Sequence, residues 1–131
     1  MINSPKGVTL IEIITVLVII GILVTLGLSQ FFGPREQALK QEALVNLKLI
    51  SSAEKIYRLE TSFYVSSNNT SETNQLLRLS LPISKPNWNY KVSPAGTDTF
   101  VGKAGRVKDN NATVWCINQT AEEPYNTSCS Y

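Results

Sequence analysis

From Ile13 to Phe32 the chain runs for 20 residues without a charge, and no other feature narrows its fold as much. At 1.5 Å per residue a helix of that length is about 30 Å long, the thickness of a bilayer core. Extending the window back to Val8 gives 25 residues, of which 17 are strongly apolar and one, Glu12, is charged. A helix apolar on every side has no face to offer water, so it belongs in lipid or inside a packed assembly. A secretory signal has an apolar core of about 7 to 15 residues followed by a small-residue cleavage site. This run is longer and lacks such a site. Lys6, just before it, marks the cytoplasmic end. Glu12 would cost a few kcal/mol deep in lipid and therefore asks for a reason to be there.

The remainder is polar and reads as a small soluble domain. With 12 basic and 10 acidic residues and a pI near 8.6, the chain has no electrostatic footprint for nucleic acid. It contains no histidine. That absence removes histidine acid/base catalysis, Ser-His and Cys-His nucleophiles and the commonest metal ligand. No glycine-rich phosphate loop and no paired carboxylates beyond Glu122-Glu123 are present, so neither an enzyme nor a cofactor is expected. The sparse acids Asp109, Glu122 and Glu123 do not make an oxygen cage for calcium, and no metal is expected.

Cys116 and Cys129 are the two cysteines, too far apart for a CxxC redox pair and too few for a structural zinc site. The reading is a disulfide, closing a loop of about 14 residues and contributing on the order of 3 kcal/mol. It requires an oxidising compartment, so the tail should lie outside the cytoplasm.

After the apolar run, Gly33-Pro34 can loosen a helix. Beyond it Leu39, Ala43, Leu47, Ile50, Ala53 and Tyr57 recur at three- and four-residue steps and make one apolar stripe. Glu36 with Lys40 and Glu54 with Arg58 are expected as i, i+4 pairs on the exposed face. Together these predict one long helix from about Val8 to Glu60, apolar in its first half, amphipathic in its second and loosened between Gly27 and Pro34. The stripe is the floor of the core. Ala38, Val45, Leu49 and Ile56, on an adjoining face, are candidates for meeting neighbouring subunits.

Residues 62–73 read as a loop, with a short helix near Ser71 to Leu79 ended by Pro82. Alternation around Trp88, Tyr90 and Val92, a run at Thr99 to Lys103, and Ala112, Val114 and Cys116 predict three short strands. Ser93-Pro94-Ala95-Gly96 and Asp109-Asn110-Asn111 mark the turns of an antiparallel meander. Trp88, Tyr90 and Trp115 are expected in the sheet core. The fold class is therefore α+β: a long N-terminal helix packed, through its amphipathic half, on a small antiparallel sheet. Asn-X-Ser/Thr triplets begin at Asn68, Asn69, Asn111, Asn118 and Asn126, and the Asn- and Ser-rich composition accounts for them.

The segment Lys6-Gly7-Val8-Thr9-Leu10-Ile11-Glu12 resembles the processing motif of type IV pilins and the related pseudopilins. A very short leader, a glycine before the apolar run, Thr-Leu-Ile-Glu just after it and a helix of membrane length coincide. The close match spans about residues 6–28. The family usually has Phe where Val8 stands, and many members carry a helix-kinking proline where this chain has Ser29. The resemblance implies a pilin fold, cleavage after Gly7 by a prepilin peptidase and N-methylation of Val8. The implied organisation is a leader over residues 1–7, a transmembrane and filament-core helix over 8–32, an amphipathic helix over 33–60 and a sheet head with a disulfide loop over 61–131.

Cleavage would leave an ammonium on Val8 and a carboxylate one turn later at Glu12. In an apolar bundle each needs a partner, so Glu12 of one copy pairing with the Val8 amine of the next would set assembly register. The implied partners are like subunits, minor pilins, the prepilin peptidase, the pilus assembly machinery and, before assembly, the bacterial inner membrane. The implied destination is an extracellular filament serving attachment, motility or DNA uptake. In pilins a C-terminal bridge frames a surface loop, here Ile117 to Ser128, with Glu122, Glu123 and Tyr125 as exposed contact candidates. The alternative within the family is a pseudopilin of a type II secretion system, a group whose major members generally lack that bridge. The alternative outside it is a tethered binding module or enzyme.

Overall fold

The computed structural model describes residues 7–28 and 32–131. Two compact units divide the chain, with the boundary between Ala38 and Leu39. In the first, helix α1 spans Leu10–Leu28. Helix α2 spans Phe32–Thr61, so its residues from Leu39 onward belong to the second unit, the head. The expected loosening between Gly27 and Pro34 falls largely on residues 29–31, outside the described residues. Gly33 and Pro34 sit in the first turn of α2, where backbone N–H groups have no intrahelical acceptor and the missing proline N–H costs nothing.

The head then adds helix α3 (Thr70–Leu77) and strands β1 (Trp88–Ala95), β2 (Phe100–Arg106) and β3 (Val114–Asn118). The strands form one antiparallel sheet in the order β1-β2-β3, with Tyr90 opposite Ala104 and Ala104 opposite Trp115. Alternation sends Trp88, Tyr90 and Val92 of β1 and Phe100 and Ala104 of β2 to one face. There they meet Ala43, Leu47 and Ile50 of α2. Gly102 of β2 leaves little room for a side chain: a methyl group there would lie 3.2 Å from the Ile117 side chain of β3 and 3.4 Å from that of Ile50 on α2. The stripe on α2 thus faces the sheet, as its spacing requires. Trp88 and Tyr90 are buried in this core and Trp115 is half-buried beside it.

Polar side chains tie the layers. The indole Nε1–H of Trp88 donates to the Leu39 carbonyl at 2.8 Å, and Asn46 Nδ2 donates to the Tyr90 hydroxyl at 2.8 Å. Burial raises the Tyr90 phenol well above its ordinary range, with the Asn46 bond acting in the opposite direction.

Several boundaries differ from expectation for local reasons. Helix α3 starts at Thr70 because Asn69 caps it, accepting from the Glu72 N–H at 2.9 Å, while Glu72 accepts from the Asn68 N–H at 2.7 Å. It stops at Arg78, whose left-handed backbone (φ 54°) returns its N–H to the Asn74 carbonyl, well before Pro82. The segment before α3 is also more ordered than a loop: Ser67 bridges Val92 through paired backbone hydrogen bonds. Strand β1 continues through Pro94 to Ala95. Between Val92 and Ala95 it carries one residue more than β2, a bulge that accommodates the proline. The turn therefore moves to Gly96–Thr99, closed by the Gly96 N–H on the Thr99 carbonyl. The second turn is a 3-10 helix, Val107–Asp109, followed by left-handed Asn110 and Asn111 (φ 56° and 65°).

Candidate functional site

The first unit presents Gly7, Val8 and Glu12, the residues the motif singles out. Gly7, Val8 and Thr9 precede the helix in irregular backbone, and the Thr9 carbonyl accepts the N–H groups of Glu12 (3.1 Å) and Ile13 (3.3 Å) to begin α1. The Gly7–Val8 bond thus lies outside the helix. Glu12 sits in the first turn. The positive end of the helix dipole favours its carboxylate there. It is also the one charged residue between Gly7 and Leu28.

Every described residue from Gly7 to Leu26 is exposed, including Val8 at 67% and Leu10 at 78%. Residues Leu10–Gly27 are long and apolar enough to cross a membrane. The two hydroxyl side chains within that span are satisfied inside the helix. Thr15 donates its hydroxyl to the Ile11 carbonyl at 2.8 Å, and Thr25 to those of Gly21 (3.0 Å) and Ile22 (2.8 Å). Neither hydroxyl then imposes an unmet hydrogen bond in lipid or in a packed bundle.

In the head, Cys116 and Cys129 form a disulfide with Cα atoms 6.1 Å apart. The loop it closes is held at three further points. Cys116 and Tyr125 exchange backbone hydrogen bonds of 2.8 Å, the Asn118 side chain caps Thr120 and Ala121, and Lys48 on α2 pairs with Glu123. Tyr125 is consequently half-buried, which corrects its expected exposure. Glu122 is exposed; Glu123 is exposed but engaged by Lys48.

In the head, Val45, Leu49 and Ile56 of α2 are exposed, and in the first unit so is Ala38. Within the head, Leu49 and Ile56 join Ala53, Leu76 and Leu79 in lining a shallow apolar groove between α2 and α3. Among the described residues no three His, Cys, Asp or Glu side chains gather as metal ligands. The Asp109 carboxylate instead accepts from Thr113 and Ala112, and these bonds, the Thr113 hydroxyl first, lower its pKa.

The expected Glu54–Arg58 surface pair does not form. Arg58 reaches Asp98 at 2.8 Å and the Tyr64 hydroxyl at 3.3 Å. Glu54 is fully buried, with Oε2 accepting from the Val65 N–H at 3.0 Å. Its spacing contained the signal: Glu54 follows Leu47 and Ile50 at seven and four residues, on the core side of the helix. On the opposite face of the sheet Lys91 and Lys103 stand across from each other on β1 and β2. Partial burial and then the charge of Lys91 lower the Lys103 pKa.

The family described as the prokaryotic N-terminal methylation motif matches residues 2–28. The chain is also similar to the type II secretion system core protein G of Escherichia coli (strain K12), with 35% identity over 66 residues. That match takes in 50% of this chain and 46% of that protein, so the chain spans about half the length of the curated relative it matches. Motif, relative and α+β architecture together support a prepilin-like chain of the pilin and pseudopilin kind, whose members are structural subunits. Its apolar N-terminal helix suits membrane anchoring before assembly.

Proposed function

We propose that the chain is a structural subunit of a type IV pilus. Prepilin peptidase removes residues 1–7 by cutting after Gly7, and Val8 is then N-methylated. The segment 8–32 first holds the subunit in the bacterial inner membrane, with its N-terminus cytoplasmic and the head on the far side. It next leaves the lipid to pack against the same segment of like subunits, with minor pilins as further partners, in an extracellular filament for adhesion, motility or DNA uptake. Glu12 sets the register of that packing by pairing with the Val8 amine of a neighbour. The subunit contributes packing rather than catalysis; the assembly machinery supplies the energy.

The observation that carries this reading is α1 itself, apolar on every side, exposed from Leu10 to Leu26 and preceded by the motif. A tethered enzyme would need a membrane helix but not a glutamate one turn after a glycine junction. The disulfide-framed loop favours a pilus. The similarity to core protein G favours a second reading, a pseudopilin of a type II secretion system.

The test is the intact mass and N-terminal residue of protein sheared from the surface of the native cell. A chain beginning at methylated Val8, two hydrogens light and recovered in surface filaments, is the expected result. Processed protein that stays in the periplasm supports the pseudopilin reading. An unprocessed chain beginning at Met1 and retained in the membrane overturns both.

A further inference from the structure

Glu54 has no part in the assembly reading, yet it is the one buried charge-bearing side chain of the described core: it is 0% exposed and Oε1 has no hydrogen-bond partner. A buried carboxylate ordinarily needs a cation or two to three N–H donors. Glu54 has the single Val65 N–H.

The charged and titratable groups of the surrounding elements are turned to other partners. On α2, Lys55 is exposed and Arg58 is held by Asp98 and the Tyr64 hydroxyl. In the segment after α2, Tyr64 packs on Phe100 with ring centroids 4.8 Å apart. On α3, Glu72 serves Asn68. On the inner face of the sheet Tyr90 is bonded to Asn46, while Lys91 and Lys103 occupy the outer positions of their strands.

From this arrangement we propose that Glu54 is a proton-operated latch, fastening the segment just after α2 to the helix as a neutral acid and releasing Val65 on ionisation. As a neutral acid it accepts the Val65 N–H without the cost of a buried charge. As an anion it gains by turning toward water, and the Val65 N–H loses its acceptor. Burial raises the carboxyl pKa to about 7, against the lowering by the Val65 bond, which places the transition within the range an exported domain meets. The movable piece is short. Beyond it Ser67 stays fixed to Val92 through its own backbone pair, and Tyr64 donates its N–H to Gly96 at 2.8 Å.

The test uses the full chain in detergent micelles, with carbon-13 at the glutamate carboxyls and Glu54→Gln for assignment. The expected result is a Glu54 midpoint near 7, with Val65 amide protection, corrected for intrinsic exchange, falling about tenfold or more from pH 6 to pH 8. In Glu54→Gln the same protection should not change with pH. A wild-type midpoint below 5 overturns the proposal, as does Val65 protection that stays level while Glu54 titrates. Should Glu54→Gln not fold, the wild-type carboxyl and amide titrations, assigned through Glu54→Asp, decide the matter alone.

Discussion

Glu54 accepts the Val65 N–H at 3.0 Å through Oε2 while its Oε1 lies buried with no partner, so the folded head holds this carboxyl best when it is protonated. Burial lifts the pKa from 4.5 to about 7. The folded state then binds the proton more tightly than the unfolded one. The resulting stability is fully present below pH 4.5 and is lost as pH rises through 7, a decline on the order of 3 kcal/mol. Asp109 has its pKa lowered by Thr113 and Ala112 and so has the opposite sign: its contribution is present at neutral pH and lost in acid. Denaturant melts between pH 5 and 8 should show wild-type stability falling with pH. In Glu54→Gln the fall attributable to this residue should disappear.

The position of Glu54 also shows where a sequence is legible and where it is not. A helix period assigns residue 54 to the same side as Ile50, but charge and i, i+4 spacing to Arg58 argue for the surface. Tertiary contact decided: Asp98, 40 residues on, takes Arg58. Pairs such as Lys48 with Glu123, 75 residues apart, have no local signature at all. By contrast, α1 is legible because nothing interrupts its apolarity, and the strands because alternation survives in Trp88, Tyr90 and Val92. The start of α3 was also present in the chain, as Asn69 with Glu72 three residues later, a helix-capping spacing hidden among Asn and Ser residues. The bulge at Ser93-Pro94 was not, since a proline two residues before a glycine reads first as a turn.

Removing the disulfide should loosen the head without dissolving its sheet. Cys116 lies within β3 and is bonded through its backbone to Tyr125, so the loop keeps one attachment when the covalent one is gone. The chain-entropy model assigns a closed loop of this size about 3 kcal/mol. For a domain of this size, that corresponds to a drop of roughly 10 °C or more in melting temperature. The double variant Cys116→Ser, Cys129→Ser, melted beside the oxidised protein and followed by circular dichroism, measures it directly. An unchanged midpoint would mean that Lys48–Glu123 and the Tyr125 pairing hold the loop unaided.

Two glycines of the sheet region should respond differently to a methyl group. At Gly105 it would lie 2.5 Å from Tyr131 Cδ2 and 2.6 Å from Asn111 Oδ1, closer than real contacts allow. Gly105→Ala should therefore cost about 1 to 3 kcal/mol through overpacking. At Gly96 nothing lies within 4 Å, and Gly96→Ala should stay within about 0.5 kcal/mol of wild type. Adding Tyr131→Ala to Gly105→Ala should recover part of the loss, because Asn111 still blocks the site. Urea unfolding of the four proteins separates packing at Gly105 from any general intolerance of the sheet.

Glu12 discriminates filament subunit from tethered domain. It is exposed in the first turn of α1, and no hydrogen bond of its side chain supports the fold. Glu12→Ala should leave the head's melting temperature unchanged and leave the Gly7–Val8 junction available for cleavage. If the residue only snorkels to lipid headgroups, the variant should behave as wild type, or insert slightly better because a charge near the membrane has gone. If it pairs with the Val8 amine of a neighbour, its loss leaves that ammonium buried in an apolar bundle, a penalty of roughly 3 to 5 kcal/mol at every subunit interface. A cost repeated along a polymer abolishes assembly even when each step would tolerate it once. The expected phenotype is processed protein in the membrane and none in sheared filaments. Glu12→Asp, which keeps the charge on a shorter arm, should restore assembly in part, whereas Glu12→Gln should not. Wild-type filament yield from Glu12→Ala would remove the register role and return α1 to a simple anchor.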